Sequence, residues 1–407
     1  MSKVIIIGGG ASGLMAAYGA LKNQNEVILI EKNEKLGKKL YITGKGRCNL
    51  TNDVEPIDFL ENVISNPKFL LSSINTFTPE DTINFFENRN TPLKIERGGR
   101  VFPFSNKASD ITNCITKEII KLGCDIHLNE EVKELIIENN EVKGVITNLS
   151  KYYATHIICS TGGLSYQSTG STGDGYHFAK ACGHKIVDTR PSLVGLNINE
   201  QFTKDLQGLS LENIRITAKY NEKIIEQFFG EMIFTHFGIS GPVILSLSSK
   251  LNRLNLRDIA IYIDLKPAIT NAVLDARILR DFLELKGKIF KNSLDLLLPK
   301  KIIPIIIKLS GIDEFKKNDQ ITKTEREKLV TTIKNLEMHI DSLRPLSEAI
   351  ITAGGVAISE INPKTMESKL IKGLSFCGEV LDVDALTGGY NIQIAFSTGY
   401  CAGNSIN

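Results

Sequence analysis

Val4–Ile7 is an unbroken apolar string ending on Gly8, and the same texture returns at Val27–Ile30 after a stretch of small and apolar residues. Short strings without polar alternation predict strands buried on both faces, as in a parallel sheet. The stretch between them predicts a helix, so the chain opens as a βαβ unit. A third buried strand is expected in HIICSTGGLSY, residues 156–166, where it opens into Thr161-Gly162-Gly163. A fourth is expected at 374–377. It is followed by a Gly378-Glu379 turn, a loop ending at Gly388-Gly389 and a helix from about Asn391 with Ile392, Ala395 and Phe396 at helical spacing.

Between TRPSLVGL (189–196) and RPLSEAIITAGGV (344–356) the pattern changes. LSLENIRITAKY and DIAIYIDLKP read as strands. Residues 271–335 instead carry Leu and Ile at helical spacing, broken at Gly287 and Pro299. The fold class expected is α/β, a Rossmann-like domain of residues 1–190 and 346–407 interrupted by an inserted lobe, 192–345. Inside that lobe a β-rich subdomain covers about 192–267 and 336–345, and a helical subdomain about 268–335.

Gly8, Gly10 and Gly13 follow the first strand as GxGxxG, and Glu31 closes the second strand near the distance expected of a dinucleotide fingerprint. Each glycine has a task. Gly8 makes the tight turn, Gly10 admits a pyrophosphate to the backbone, and Gly13 lets helix and strand pack closely. Ala11 and Ser12 then lie in a helix N-terminus that offers free N–H groups and a positive dipole end to the phosphates. Glu31 is suited to accept hydrogen bonds from ribose hydroxyls, and its charge opposes a 2′-phosphate. Three glycine-rich strand ends, at 8–13, 161–163 and 388–389, fit one long cofactor crossing the sheet, FAD rather than NAD. No second GxGxxG exists, so no separate nicotinamide domain is expected.

ITGKGRCNLTN, GRVFPFSNKASD, STGGLSYQSTGSTGDGYHFAKACGH, GEMIFTHFGISGPVIL, TAGGV, TMESK and GEVLDVDALTGGYNIQIAFSTGYCAG together resemble the BaiN/YhiN-like family of bacterial flavoproteins. The resemblance runs from the first strand to the C-terminus. It implies an FAD-binding Rossmann-like domain with an inserted lobe, and reduction of an apolar or enone-like small molecule with NAD(P)H as a transient electron donor. It also places NEKLGKKLYITGKGRCNLTN along the cofactor. Gly44 and Gly46 are expected to let the backbone approach the flavin ring. The N-terminus of the helix at Asn391 is expected to meet the negative charge of the reduced flavin, with Lys45 or Arg47 assisting from the loop unless Arg47 only pins it. Cys48, Asn49, Lys32, Lys39, Val132, Thr161, Gly162, Gly163, Gly378, Gly389, Tyr390 and Asn391 complete the expected cofactor contacts, with Glu379 on the ribityl hydroxyls.

Candidate proton donors are Tyr390 and His236, and each has a plainer reading as a packing residue. Cys48 lacks a partner cysteine for redox work. The seven cysteines include no CxxC pair and fit no zinc spacing, so reduced, buried thiols and no metal are expected. Lys+Arg 48 against Asp+Glu 46 gives a net charge of +2, and tryptophan is absent, which argues against a base-stacking nucleic-acid platform. No nucleic acid and no membrane are expected: IIPIIIKL is too short to span and is broken by Pro304, and the first strand starts at once. A cytoplasmic protein follows. Two other readings are a flavin-bound sensor or RNA- or protein-interaction module docking through basic residues 315–328 without turnover, and a flavin monooxygenase or oxidase.

Overall fold

The computed structural model describes all 407 residues. Its contacts divide the chain into two units, Met1–Ser192 with Pro345–Asn407, and Leu193–Arg344.

The first unit is organised on a five-stranded parallel sheet. In chain order the elements that matter are β1 Lys3–Ile7, α1 Ala11–Lys22, β2 Glu26–Glu31, α2 Ala108–Lys121, β3 Asp125–Leu128, β4 His156–Cys159, α3 Asp174–Ala181, β5 Leu374–Phe376 and α4 Tyr390–Asn404. The strands lie in the order β5-β4-β1-β2-β3. Ile5 is in register with Ile28 on one side and Ile157 on the other. The apolar strings form the central strands, and Val4, Ile5, Ile6, Ile157 and Ile158 are wholly buried. Edge strand β3, DIHL, carries no such string because Asp125 and Leu128 are exposed, and sequence pattern alone passed over it.

The C-terminal helix α4 packs on α1 nearly backbone to backbone. A Cβ at Gly399 would lie 2.1 Å from Ser12 O, and one at Gly403 would lie 2.0 Å from Ala16 O. Glycine here is imposed by helix approach, with no turn involved. The contact ties the last helix to the first glycine loop and brings β5 into the sheet of β1. Three smaller sheets complete the unit. One joins Thr51–Asn52 to the hairpin of Leu93–Glu96 and Arg100–Pro103, another pairs Ile186–Ser192 with Ile351–Val356, and a third spans Val132–Tyr153.

The second unit is a closed six-stranded barrel, Leu196–Ile198, Ser210–Tyr220, Lys223–Thr235, Gly238–Ser240, Ile259–Asp264 and Leu336–Leu343. Closure removes exposed sheet edges. Helices Asn271–Glu284, Ile303–Ser310 and Lys323–Lys334 sit between its last two strands in sequence and share its apolar core. The basic stretch 315–328 is partly neutralised within this unit. Lys316 pairs with Glu325 at 2.7 Å and Arg326 with Asp275 at 2.6 Å, while Thr322 and Glu325 form a capping box. Lys317, Lys323 and Lys328 of the same stretch stay exposed.

Candidate functional site

The glycine loop between β1 and α1 separates three demands. Gly8 has φ +100°, and a Cβ there would lie 2.8 Å from Ser160 O. A Cβ at Gly13 would lie 1.9 Å from Gly8 O. Both are fixed by the protein itself. Gly10 is different: its φ is −79°, open to any residue, and a Cβ there meets nothing within 4 Å. The first hydrogen bond of α1 runs from Leu14 N–H to Gly10 O, so Ala11, Ser12 and Gly13 begin the helix with N–H groups free of intrahelical partners. Glu31, buried at the end of β2, accepts from Gly9 N–H at 2.8 Å through Oε2 and from Asn33 N–H at 2.8 Å through Oε1.

The end of β4 continues this line. Ser160 Oγ donates to Ile7 O or Gly8 O, each 2.8 Å away. After Thr161, Gly162 takes φ +73°, and Gly163 lies where a Cβ would be 2.6 Å from Thr352 Oγ1 and 3.0 Å from Glu379 Oε1. Beyond β5, a Cβ at Gly378 would lie 2.5 Å from Ser12 Oγ. Gly8, Gly163 and Gly378 thus each lie against a residue from another of these strand ends, while the predicted Gly388-Gly389 pair lies against Thr51 and Asn52.

Glu379 lies in a cradle of protein donors. Lys39 Nζ donates to its Oε2 at 2.7 Å, while Ser165 Oγ and Thr352 N–H donate to Oε1 at 2.7 and 2.9 Å. Burial works to raise this carboxyl, but Lys39, Ser165 and the Thr352 N–H outweigh it and hold it below the usual carboxylate range. Both of its oxygens bind protein, which fixes the side chain just beyond β5. Lys39 is the cation of that pair, and Lys32 is engaged likewise, with Asp174 at 2.6 Å. Ser165 and Thr352 were not singled out in the sequence, although Thr352 lies in the distinctive TAGGV segment.

The loop ITGKGRCNLTN folds into tight turns at 40–46. Gly44, Lys45 and Gly46 have φ +56°, +58° and +84°, so its glycines answer first to left-handed backbone. Arg47 donates to Asn106 Oδ1 at 2.9 Å, pairs with Glu96 and lies 4.0 Å from the Phe102 ring centre. Glu96 matches its charge, and these contacts hold the loop against the hairpin. Cys48 is fully buried, and loss of solvation pushes its thiol up to about 12, which removes it as a redox thiolate. Asn49 Oδ1 and Asn52 Oδ1 are buried without a protein partner. Asn52 Nδ2 donates to Gly98 O at 2.9 Å and Gly388 O at 3.1 Å, which ties the loop to the start of α4. There Gly389 takes φ +100°, and a Cβ on it would lie 2.3 Å from Thr51 O.

The remaining candidates have plain positions. Tyr390 is buried edge-on against Phe59, ring centres 5.1 Å apart, and burial raises its phenol above the ordinary value. Asn391 braces the preceding loop through Ala385 N–H at 3.0 Å and Ala385 O at 2.8 Å. Val132 is buried where its strand begins, next to Glu130, whose N–H donates to Glu31 O at 3.1 Å. His236 belongs to the second unit, exposed beside Phe237 with ring centres 5.0 Å apart. No helix of the chain is long and apolar enough to cross a membrane.

Residues 2–405 match the HI0933-like protein Rossmann domain. The chain is 28% identical to the 3-dehydro-bile acid delta(4,6)-reductase of Clostridium scindens, over 100% of this chain and 99% of that one. It is 33% identical to the ribosomal RNA dihydrouridine synthase of Haemophilus influenzae, over 100% and 98% respectively. Among solved structures it shares its fold with the 3-ketosteroid-delta4-(5alpha)-dehydrogenase of Rhodococcus jostii, at TM-score 0.53 and 14% identity, covering 99% of this chain and 95% of that one. The matched span and the converging glycine-rich strand ends lead to one conclusion: the chain belongs to the HI0933-like Rossmann family of FAD-dependent oxidoreductases.

Proposed function

We propose that this protein is a reductase that saturates a carbon–carbon double bond conjugated with a carbonyl, using FAD and electrons from NAD(P)H. The observation that carries the cofactor assignment is Gly10. Nothing in the protein requires a glycine there, whereas a pyrophosphate against the backbone does. Gly8 to Gly13 and the N-terminus of α1 are assigned the pyrophosphate, and Glu31 the adenosine ribose. Asn49, whose buried Oδ1 lacks a protein donor, is assigned a hydrogen-bond donor of the cofactor, since such an oxygen left unmet costs about 1–3 kcal/mol. When bound, FAD supplies the hydride chemistry itself. The chain's own residues bind, orient and exclude water. With Tyr390 packed on Phe59 and Cys48 buried, neither is assigned the proton transfer.

The bond type is supported by what the two full-length relatives have in common. A 3-oxo steroid with double bonds at positions 4 and 6, and a uridine reduced at its ring double bond, both present C=C conjugated with C=O. The test for the donor is anaerobic mixing of the purified yellow protein with NADH or NADPH. Bleaching of the flavin within minutes is expected, and no bleaching by either removes the nicotinamide assignment.

A second reading concerns where that bond resides. The 33% identity to the Haemophilus influenzae protein over the whole chain supports a uridine within ribosomal RNA as the enone-like substrate. Lack of dihydrouridine in ribosomal RNA from a strain deleted for this gene, restored by the gene, is the expected result. Unchanged dihydrouridine returns the substrate to small molecules.

A further inference from the structure

We propose that the hairpin Leu93–Pro103, together with the loop beside it, is a docking surface for the phosphate backbone of RNA. This rests on the reading that the reducible bond is a uridine in ribosomal RNA. In the hairpin, Lys94 pairs across from Phe102 and Glu96 from Arg100, so these four side chains share one face. The Arg47 guanidinium lies 4.0 Å from the Phe102 ring centre and that of Arg100 lies 5.9 Å away. Glu96 is the one carboxylate on this face; it pairs with Arg47 and lies 3.6 Å from Lys94. Three cations thus meet one anion. Around them Lys45, Arg97, Arg100 and Lys107 are exposed, as are the apolar Ile95 and Phe104.

Because the whole chain carries a net charge of only +2, this concentration is local. Arginines fit phosphate oxygens through paired N–H groups, and exposed aromatic and aliphatic side chains beside them suit unstacked bases. A platform of tryptophans is unnecessary for such backbone contact, so composition does not oppose it. The surface is also joined to the candidate site. Asn52 links Gly98 O at the hairpin tip to Gly388 O at the start of α4 through one amide. A strand held on Arg97 and Arg100 is therefore anchored one side chain from the Gly388-Gly389 segment.

The test is titration of an unmodified ribosomal RNA transcript into FAD-loaded protein over a range of salt. Wild type is compared with Arg97→Glu/Arg100→Glu and with Lys107→Glu. Flavin content and reoxidation of the reduced enzyme by a small conjugated ketone are followed in parallel. The expected result is unchanged flavin and ketone reduction, RNA binding at least about tenfold weaker in the double variant, and a salt slope shallower by roughly 0.7–0.9 per lost phosphate contact. RNA affinity and salt slope that stay at wild-type values in both variants overturn the surface. So does loss of binding to anionic lipid vesicles with RNA affinity intact. A wild-type protein that reduces the ketone but binds no RNA overturns the surface and leaves the reductase standing. One that binds RNA through these residues but reduces no conjugated bond overturns the reductase alone. If the double variant fails to hold flavin, Lys107→Glu and its salt slope decide.

Discussion

Lys39 Nζ lies 2.7 Å from Glu379 Oε2, joining the segment that leaves β2 to the turn that leaves β5. Both side chains are largely buried, and Ser165 and Thr352 complete the carboxylate's partners. Removing one member of such a pair leaves an uncompensated charge. Lys39→Met should destabilise the protein by about 3 kcal/mol at neutral pH. Because the pair lowers the Glu379 carboxyl, its contribution is present above the ordinary value of 4.5 and is lost as pH falls through the folded value. Urea unfolding should therefore show the deficit of the variant shrinking below pH 4.5, and a deficit that ignores pH contradicts the ion pair.

Gly10 and Gly13 should separate cofactor binding from folding. Gly10→Val places its Cβ in open space at an ordinary φ, so the protein should fold with stability within about 1 kcal/mol of FAD-free wild type, the N-cap change included, and emerge colourless. Gly13→Ala drives a methyl against Gly8 O, and should cost folding stability of about 3 kcal/mol or more. Calorimetry and the flavin absorbance of each purified variant give the comparison. Full FAD in Gly10→Val refutes the assigned loop.

Arg47 is matched by Glu96, so removing it should unfasten the loop without leaving the flavin short of a cation. Arg47→Ala is expected to shift the flavin midpoint potential by less than about 10 mV, under 0.5 kcal/mol for two electrons, while weakening FAD retention. A fall of several tens of millivolts with FAD fully bound restores the electrostatic role.

His184 is buried, with Nδ1 3.1 Å from Glu360 and Nε2 2.8 Å from Ser368 Oγ, which already accepts the N–H groups of Leu370 and Ile371. Burial lowers its imidazole below the ordinary 6.5 more than Glu360 raises it. A depressed histidine keeps its stabilising neutral form above 6.5 and loses that contribution as pH falls through the folded value. His184→Gln should therefore show a shallower loss of stability than wild type between pH 6.5 and 5. Equal slopes contradict the assignment. His127, raised by Glu130 and Asp125 against burial, is present in both proteins and cancels in the comparison.

The frame was legible where burial leaves short apolar strings, as in β1, β2 and β4, and where glycine spacing has one steric reading. β3 escaped because an edge strand keeps Asp125 and Leu128 in water. Within the site, Gly8 and Gly13 could be read from their spacing after the first strand, although Ser160, against which both lie, comes from the end of β4. The partners of Arg47 and Glu379 could not. Glu96 and Lys39 reach them across 49 and 340 residues, a pairing that local pattern does not encode. Local pattern thus marks a charged loop residue as a candidate without naming the side chain it meets.

The most direct test of the central claim is a single anaerobic turnover. Enzyme reduced with NADH or dithionite is mixed with a conjugated ketone, and separately with an alkene of matched size lacking the carbonyl. Flavin reoxidation is followed by absorbance and the product by NMR. Rapid reoxidation by the conjugated ketone alone, yielding a saturated C=C with the carbonyl intact, is the predicted result. Flavin that stays reduced against conjugated ketones and uridine-containing RNA alike, yet is reoxidised by oxygen with substrate hydroxylation, contradicts it.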